Sequence, residues 1–172
     1  MAKKKNISES YLKNITQLDK EFDFEDYSHK KDFFLLCKLI PNPEEEKLDI
    51  EIIDKEKFDC SGLVYIMVIK GKIFKIGHTI NTIKNRVQSY NCGKLKFRLS
   101  GTASTTNFYV LQSLLALNSE VFIYAFITPT PEYKLWGETY KDSFPVPKRA
   151  ENILIKEYIG RYGRKPIGCT QT

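Results

Sequence analysis

Two apolar runs joined by a Lys-Gly-Lys turn constrain the fold of this chain more than any other feature. The stretch reads GLVYIMVIKGKIFKIG and occupies residues 62–77 of 172. Both runs, 63–69 and 73–77, are rich in the β-branched and aromatic residues that favour strands, and Gly and polar residues separate them. The stretch therefore predicts an antiparallel β-hairpin.

A tyrosine and a lysine interrupt these apolar runs. A three-residue loop over 70–72 would place Tyr65 and Lys75 on one face of the hairpin, because side chains alternate along a strand. Tyr65 would then lie opposite Gly77, and Met67 opposite Lys75. A phenol has a pKa of about 10, and a cation a few ångströms away favours the phenolate. The pair thus predicts a tyrosine that accepts a proton from water.

The segment after the hairpin, HTINTIKNRVQSYN, has apolar residues at helical spacing and is expected to begin with Thr79 or Asn81 as the N-cap. Arg86 and Tyr90 are four residues apart, so they share one face of this helix. A guanidinium in that position can bind a phosphate with two hydrogen bonds. The alternative is an exposed Arg86 beside a half-buried Tyr90.

The last predicted helix begins at Pro147, ends near Gly163 and places a carboxylate on its apolar side. Glu151 lies between Leu154 and Ile155 in helical projection. A carboxylate there costs free energy unless it is paired or binds a metal. Two interpretations stay open: an ion pair with an arginine, or a site for Mg²⁺ that waters and a substrate phosphate complete.

The remaining segments predict an α+β fold, in which helices flank a small central antiparallel β-sheet made of the hairpin plus a later strand. The run 32–40 fits a helix or a buried strand, and strict alternation over 94–100 predicts a half-buried strand with a basic face. The other predicted elements are a helix over 6–20, a strand over 48–54, a helix over 108–118, a strand over 120–129 and an irregular segment over 129–147.

Charge is distributed unevenly along the chain. Residues 1–60 have a net charge of −4, whereas residues 61–172 have a net charge of +10. No carboxylate lies between Asp59 and Glu120, although eight basic residues do. A surface of one sign attracts a polyanion, so we expect the second part to bind nucleic acid. We expect the acidic residues 1–60 to form an N-terminal appendage that packs on the basic part or on a second subunit.

Several kinds of site and location are disfavoured. No apolar run approaches the ~18 residues of a membrane span, and the start MAKKKNISES lacks the apolar segment of a signal peptide. The four cysteines show no Cys-x-x-Cys spacing and the two histidines are far apart, so we expect no zinc site. Free thiols fit a reducing cytosol. We therefore expect a soluble, cytoplasmic protein.

The residues singled out above in the hairpin, the following helix and the last helix, taken in their order along the chain, resemble the GIY-YIG nuclease superfamily. The family's first motif is similar to residues 62–65, Gly-Leu-Val-Tyr. Its second motif is similar to residues 75–77, Lys-Ile-Gly, with Lys75 in place of the usual second tyrosine. Arg86 matches the family's helix arginine, and Glu151 matches its metal-binding glutamate.

The resemblance covers residues 62–165, within a catalytic and DNA-binding domain at 61–172 that has an insert at about 94–118. The small chain is most similar to a type II restriction endonuclease. This implies a prokaryotic homodimer that cuts double-stranded DNA at a specific site. It also implies one Mg²⁺ per active site, which Mn²⁺ can replace, held by Glu151.

The resemblance implies a role for each matched residue. Tyr65, as phenolate, accepts the proton of the attacking water, and Arg86 and Lys75 neutralise the pentavalent phosphorane. Tyr90 positions the water or the phosphate. His78 either contributes to catalysis or is a surface residue at the start of the helix. Contacts with DNA are expected from basic and hydroxyl side chains: Lys84, Lys94, Lys96, Arg98, Ser104 and Thr105.

Two other functions stay open. One is a nucleic-acid-binding module that has the fold and lacks catalysis, and Lys75 in place of a tyrosine is its best argument. The other is a fragment of a homing-type or repair nuclease, although neither a helix-turn-helix nor a zinc module is recognisable in the sequence.

Overall fold

The structure is a computed structural model that describes residues 15–141 and 146–169. Its main strands are β1 (Phe34–Asn42), β2 (Lys47–Ile52), β3 (Ser61–Ile69), β4 (Lys72–Thr82) and β5 (Val121–Ile127). Its helices are α1 (Ile83–Asn91), α2 (Leu95–Leu99), α3 (Thr105–Leu117) and α4 (Val146–Tyr162), preceded by 3₁₀ helices at Ile15–Lys20, Phe24–Asp26 and Lys30–Asp32. The five strands form one antiparallel sheet in the order β2-β1-β5-β3-β4, which confirms the α+β class.

The hairpin of β3 and β4 has the register that the sequence predicts. Tyr65 lies opposite Gly77, and Met67 lies opposite Lys75. The turn is one residue shorter than predicted, because Lys70 and Gly71 alone form it with φ angles of 50° and 78°, as in tight hairpin turns. Phe74 is the extra residue of a β-bulge on β4 and restores the register.

The acidic N-terminal part contributes two strands to the sheet. β1 pairs with β2 on one side and with β5 on the other, so the run 32–40 is a strand from Phe34 onward. The part of residues 1–60 that the structure describes is therefore continuous with the sheet that carries the hairpin. Of the predicted helix over 6–20, only Ile15–Lys20 is described, as a 3₁₀ helix, and the rest lies outside the described residues.

A buried carboxylate joins this N-terminal part to the end of the chain. Glu21 is buried, and its side chain accepts hydrogen bonds from the Tyr158 hydroxyl on α4, at 2.7 Å, and from Arg164. A buried ion needs such partners, because its desolvation is otherwise uncompensated. These contacts join Glu21 to two residues of the C-terminal part of the chain, Tyr158 and Arg164.

The two faces of the sheet bury separate apolar clusters. On one face, Leu63, Tyr65 and Met67 of β3 pack in a cluster with residues of α1 and α3. On the other face, Val64 and Ile66 pack in a cluster with residues of α4 and with Phe24 of the 3₁₀ helix at Phe24–Asp26. β4 is an edge strand, so α1 and α4 approach the same edge of the sheet from opposite faces.

The predicted strand over 94–100 is wrong, because Leu95–Leu99 forms the single-turn helix α2. Gly93 explains the difference: a Cβ atom there would lie 2.2 Å from the backbone oxygen of Asn107. The chain is thus held against α3 and not along a sheet edge. Five alternating residues also fit one helical turn, so the local pattern alone could not distinguish a strand from a helix.

Among the described residues, no helix has the length and apolar content that a membrane crossing requires.

The segment predicted to be irregular contains a second hairpin, made of β6 (Glu132–Leu135) and β7 (Glu138–Lys141). Trp136 and Gly137 form its turn, with φ angles of 49° and 87°. The prediction is wrong over 132–141, because a Trp-Gly turn is not a strong hairpin signal. Residues 142–145 lie outside the described residues.

Replacing Leu39 with alanine tests whether β1 is an integral strand. Leu39 is 0% exposed in the core, so Leu39→Ala should lower the free energy of unfolding by about 2–5 kcal/mol. Ile40, its neighbour on the same strand, is 38% exposed, so Ile40→Ala should cost less than about 1 kcal/mol. Urea denaturation followed by circular dichroism measures both. Equal losses for the two variants would contradict this placement of β1.

Candidate active site

A cleft of about 350 Å³ lies at the edge of the sheet, between β4, α1 and α4. Charged and polar side chains from separate parts of the chain line it, together with the apolar Ile80. These residues are Lys75, His78, Thr79, Ile80, Asn81, Asn85, Arg86, Ser89, Thr106 and Glu151. The structure thus brings together four of the predicted site residues: Lys75, His78, Arg86 and Glu151.

The start of α1 sets the position of Arg86 relative to β4. Thr82 is the N-cap, because its hydroxyl accepts a hydrogen bond from the backbone N–H of Asn85 at 3.3 Å. The expected caps, Thr79 and Asn81, are still in β4, and the Thr79 hydroxyl accepts the Asn81 N–H at 3.1 Å. The strand therefore runs three residues further than a cap at Thr79 would allow, and Arg86 lies in the first turn of the helix.

Tyr65, Arg86 and Tyr90 form one hydrogen-bonded group. The hydroxyls of Tyr65 and Tyr90 share a hydrogen bond, and Arg86 Nε donates to the Tyr65 hydroxyl at 3.1 Å. The Arg86 guanidinium also lies over the Tyr90 ring, 4.5 Å from its centroid. Both tyrosines are buried, so Arg86 is the member of the group that lines the cleft.

The expected low pKa of Tyr65 is wrong for the free chain. Its side chain is 0% exposed, and burial raises its pKa well above the ordinary value. The neighbouring Tyr90 raises it further, whereas Arg86 and Lys75 lower it without compensating for burial. Desolvation of the phenolate is thus the larger effect at this position, and Tyr65 is a neutral phenol in the free chain.

The end of the chain holds Lys75 in place. Lys75 is buried, and its Nζ donates to the backbone oxygen of Gly168 at 3.1 Å. The Gly168 N–H in turn donates to the Phe74 oxygen on β4 at 2.7 Å. A Cβ atom on Gly168 would lie 2.8 Å from that oxygen, so only glycine permits this approach. No pattern in the sequence indicates this contact, because about ninety residues separate the two segments.

Glu151 is buried between two cationic or hydrogen-bonding partners. Its Oε2 atom accepts hydrogen bonds from His78 Nδ1 and from Lys148 Nζ, each at 2.8 Å. Burial alone would raise the Glu151 pKa, but these two partners together lower it. Glu151 is therefore ionised at neutral pH. In the described part of the chain, Glu151 pairs with His78 and Lys148 and not with the arginine that one of the two interpretations expects. His78 therefore contacts Glu151 and is not only a surface residue at the start of the helix.

A metal ion at this cleft would have few protein ligands. Within residues 15–141 and 146–169, no group of three or more His, Cys, Asp or Glu side chains could hold a metal ion. Both contacts of Glu151 use Oε2, so Oε1 has no hydrogen-bond partner among the described residues. One free carboxylate oxygen fits Mg²⁺, which commonly keeps waters and substrate phosphate as its other ligands.

The residues predicted to contact DNA do not line the cleft. Lys94 Nζ donates to the Glu45 oxygen at 2.8 Å, and Arg98 donates to the Ala103 oxygen at 3.3 Å, so both have contacts within the chain. The Ser104 hydroxyl accepts the Asn107 N–H at 3.1 Å as the N-cap of α3. The other three are exposed at the surface: Lys84, Lys96 and Thr105.

Sequence reasoning missed several residues of the site. Lys148 had a usable signal, because it precedes Glu151 by three residues on one helix, a spacing at which opposite charges meet. Asn81, Asn85 and Thr106 had none, since uncharged polar residues at a helix start usually indicate a cap or a solvated surface. Their place in the cleft depends on the tertiary fold.

The solved structures that resemble this chain include two nucleases. The restriction endonuclease HPY188I in complex with product DNA is 53% identical in sequence, with a TM-score of 0.75, and the match covers 100% of this chain and 98% of the relative. A mutant of bacteriophage T4 EndoII has a TM-score of 0.54, and the match covers 83% of this chain and 97% of EndoII. At 13% identity, the EndoII match shows a common fold alone. No protein-family model and no curated protein matches the sequence.

Replacing Gly77 with alanine tests the close packing behind the cleft. A Cβ atom at position 77 would lie 2.5 Å from the ring carbon Cζ and from the hydroxyl oxygen of Tyr65. The buried ring must then shift, so Gly77→Ala should lower the free energy of unfolding by about 1–3 kcal/mol. A Cβ at Gly160 on α4 would have no atom within 4 Å, so Gly160→Ala should be neutral or stabilising by up to about 1 kcal/mol. Denaturation of both variants gives the comparison, and a neutral Gly77→Ala would contradict the packing.

Proposed function

Since the chain belongs to the restriction endonuclease family of HPY188I, we propose that it is a site-specific endonuclease that hydrolyses phosphodiester bonds of double-stranded DNA. The relative's structure contains product DNA, and the match covers 98% of that relative. One observation of this structure carries the proposal. Two cations, a histidine and an ionised carboxylate converge from β4, α1 and α4 on one cleft.

The catalytic core is proposed to be of the GIY-YIG type. The pairing of Tyr65 with Gly77 supports this, since it joins the tyrosine of the first motif to the glycine of the second. The helix arginine, Arg86, donates to that same tyrosine. Glu151 of α4, which matches the family's metal-binding glutamate, lines the same cleft as Arg86. The contacts among Tyr65, Gly77 and Arg86, and the cleft that Arg86 shares with Glu151, support this proposal.

Glu151 is the proposed ligand of one Mg²⁺, with Mn²⁺ as a substitute. Its lowered pKa supports this, because the carboxylate is then ionised without the metal. The other ligands would be waters and a phosphate oxygen of the DNA. When bound, such an ion polarises the phosphate and stabilises charge that develops in the transition state.

Arg86 and Lys75 are the proposed partners of the scissile phosphate. Both side chains line the cleft, and neither has a carboxylate partner among the described residues. Lys75 is fixed by the Gly168 oxygen, and Arg86 is fixed by the Tyr65 hydroxyl and the Tyr90 ring. Cations that are already in place cost no reorganisation when negative charge develops on the phosphorane.

Tyr65 is the proposed proton acceptor. The attacking water would form the new P–O bond while its proton passes to the Tyr65 oxygen, and the leaving sugar oxygen takes a proton from solvent. The phenolate that this requires is opposed by burial and favoured by Arg86 and Lys75. Tyr90 shares the Tyr65 hydrogen bond and would position the phenol. His78 donates from Nδ1 to Glu151, which leaves its Nε2 as the alternative acceptor.

The assembly on DNA extends this proposal. Two copies would act on the two strands of one site as a homodimer in the cytoplasm of a prokaryotic cell. The basic side chains of Lys84, Lys94, Lys96 and Arg98 would contact the DNA backbone outside the cleft, and the hydroxyls of Ser104 and Thr105 would reach base edges. Such contacts make binding weaken as the salt concentration rises.

Replacing Glu151 with glutamine tests the proposed function. Incubation of supercoiled plasmid with the wild-type chain and Mg²⁺ should give discrete bands. Glu151→Gln should cut at least about 100-fold more slowly, because the charge that holds the ion is lost, and it should still bind DNA in a gel-shift assay. Glu157→Gln is the matched control, since Glu157 lies on the same helix and bonds to His29 outside the cleft.

The wild-type result separates the competing functions. A smear indicates a nonspecific nuclease, and a retarded but intact plasmid indicates a binding module without catalysis. Cleavage by Glu151→Gln at the wild-type rate would contradict the metal assignment.

Replacing Tyr65 with phenylalanine tests the proton acceptor. Loss of the hydroxyl should slow cleavage by about 10²–10⁴-fold, as removal of a general base does, while Mn²⁺ binding is retained. Tyr133→Phe is the control, because Tyr133 is an exposed tyrosine of the β6–β7 hairpin. Single-turnover cleavage of a DNA duplex that contains the site provides the rates. A normal rate for Tyr65→Phe would eliminate this role and leave His78 as the acceptor.

A further inference from the structure

We infer that Lys148 neutralises Glu151 while no divalent ion is bound and is displaced when the ion binds, so that Lys148 lowers the affinity of the site for the ion. This inference rests on the proposed role of Glu151 as the metal ligand. It assigns a function to a lysine that no motif of the sequence includes.

The contact geometry supports the inference. Lys148 Nζ lies 2.8 Å from Glu151 Oε2, and the carboxylate is only 7% exposed. A buried carboxylate is costly without a cation nearby. A divalent ion can supply the same compensation, so the ammonium and the ion are alternative partners for one negative charge.

Lys148 contacts Glu151 from a side that does not face the cleft. Its side chain lines a smaller pocket of about 140 Å³, together with Lys75, Glu151, Lys165 and Cys169. It does not line the cleft itself, whereas His78 lines the cleft and not the smaller pocket. Glu151 and Lys75 border both spaces, and the smaller pocket gives the Lys148 ammonium room to withdraw from Glu151.

Of the two partners of Glu151, Lys148 is the one that can move. His78 belongs to β4, whose backbone is paired with β3 at this point. The Lys148 side chain is 39% exposed and has a flexible four-carbon stem. An ammonium and a divalent ion on the same carboxylate repel each other, so binding of the ion favours withdrawal of Lys148.

Titration of Mn²⁺ into the DNA-free protein tests this inference, with free Mn²⁺ measured by electron paramagnetic resonance. Lys148→Met retains the apolar stem and removes the charge, and it should bind Mn²⁺ about three- to tenfold more tightly than wild type. Lys148→Arg should restore the wild-type affinity, because a guanidinium also pairs with the carboxylate. Lys156→Met is the matched control, since Lys156 is exposed on the same helix, and it should not change the affinity.

The outcomes distinguish failure of this inference from failure of the proposed function. Unchanged or weaker Mn²⁺ binding by folded Lys148→Met overturns the inference, provided that Glu151→Gln abolishes binding. Equal binding by wild type and Glu151→Gln overturns the metal assignment, and the inference with it. Thermal melting of each variant without metal shows that it is folded.

Discussion

The buried phenol of Tyr65 is the contact on which the geometry of the cleft depends. Its ring occupies the space above Gly77, and its hydroxyl finds its partners in Arg86 and Tyr90 of α1. A buried hydroxyl without a partner costs about 1–3 kcal/mol. The position of α1 against the hairpin is therefore coupled to the hydrogen bonds of the Tyr65 hydroxyl. Arg86 reaches the cleft as a consequence.

Each charged group of the cleft has a partner inside the chain before any ligand arrives. Glu151 has His78 and Lys148, and Lys75 has the Gly168 oxygen. A ligand that binds in the cleft would therefore exchange one set of partners for another and would not meet unpaired charges. Such an exchange costs less than desolvating unpaired ions, and the internal partners hold the side chains in place before a ligand binds.

The sequence predicted the parts of the site that depend on local periodicity. The alternation of β3 and β4 placed Tyr65 opposite Gly77, and helical spacing placed Glu151 on the apolar side of α4, although the hairpin loop was wrong by one residue. The contact of Lys75 with Gly168 could not be predicted, because it depends on where the chain end packs. The strand predicted over 94–100 failed for a similar reason, since contact of Gly93 with α3 overrides a short local pattern.

The raised pKa of Tyr65 constrains how a phenol in this position could serve as a base. In the free chain the phenolate is rare, and each pKa unit above the solution pH costs about 1.4 kcal/mol. The same high pKa makes the phenolate a strong acceptor once it forms. Arg86 and Lys75 already lower the pKa, and any further positive charge in the cleft acts in the same direction. Burial thus disfavours ionisation of Tyr65 in the free chain, and a cation bound in the cleft would favour it.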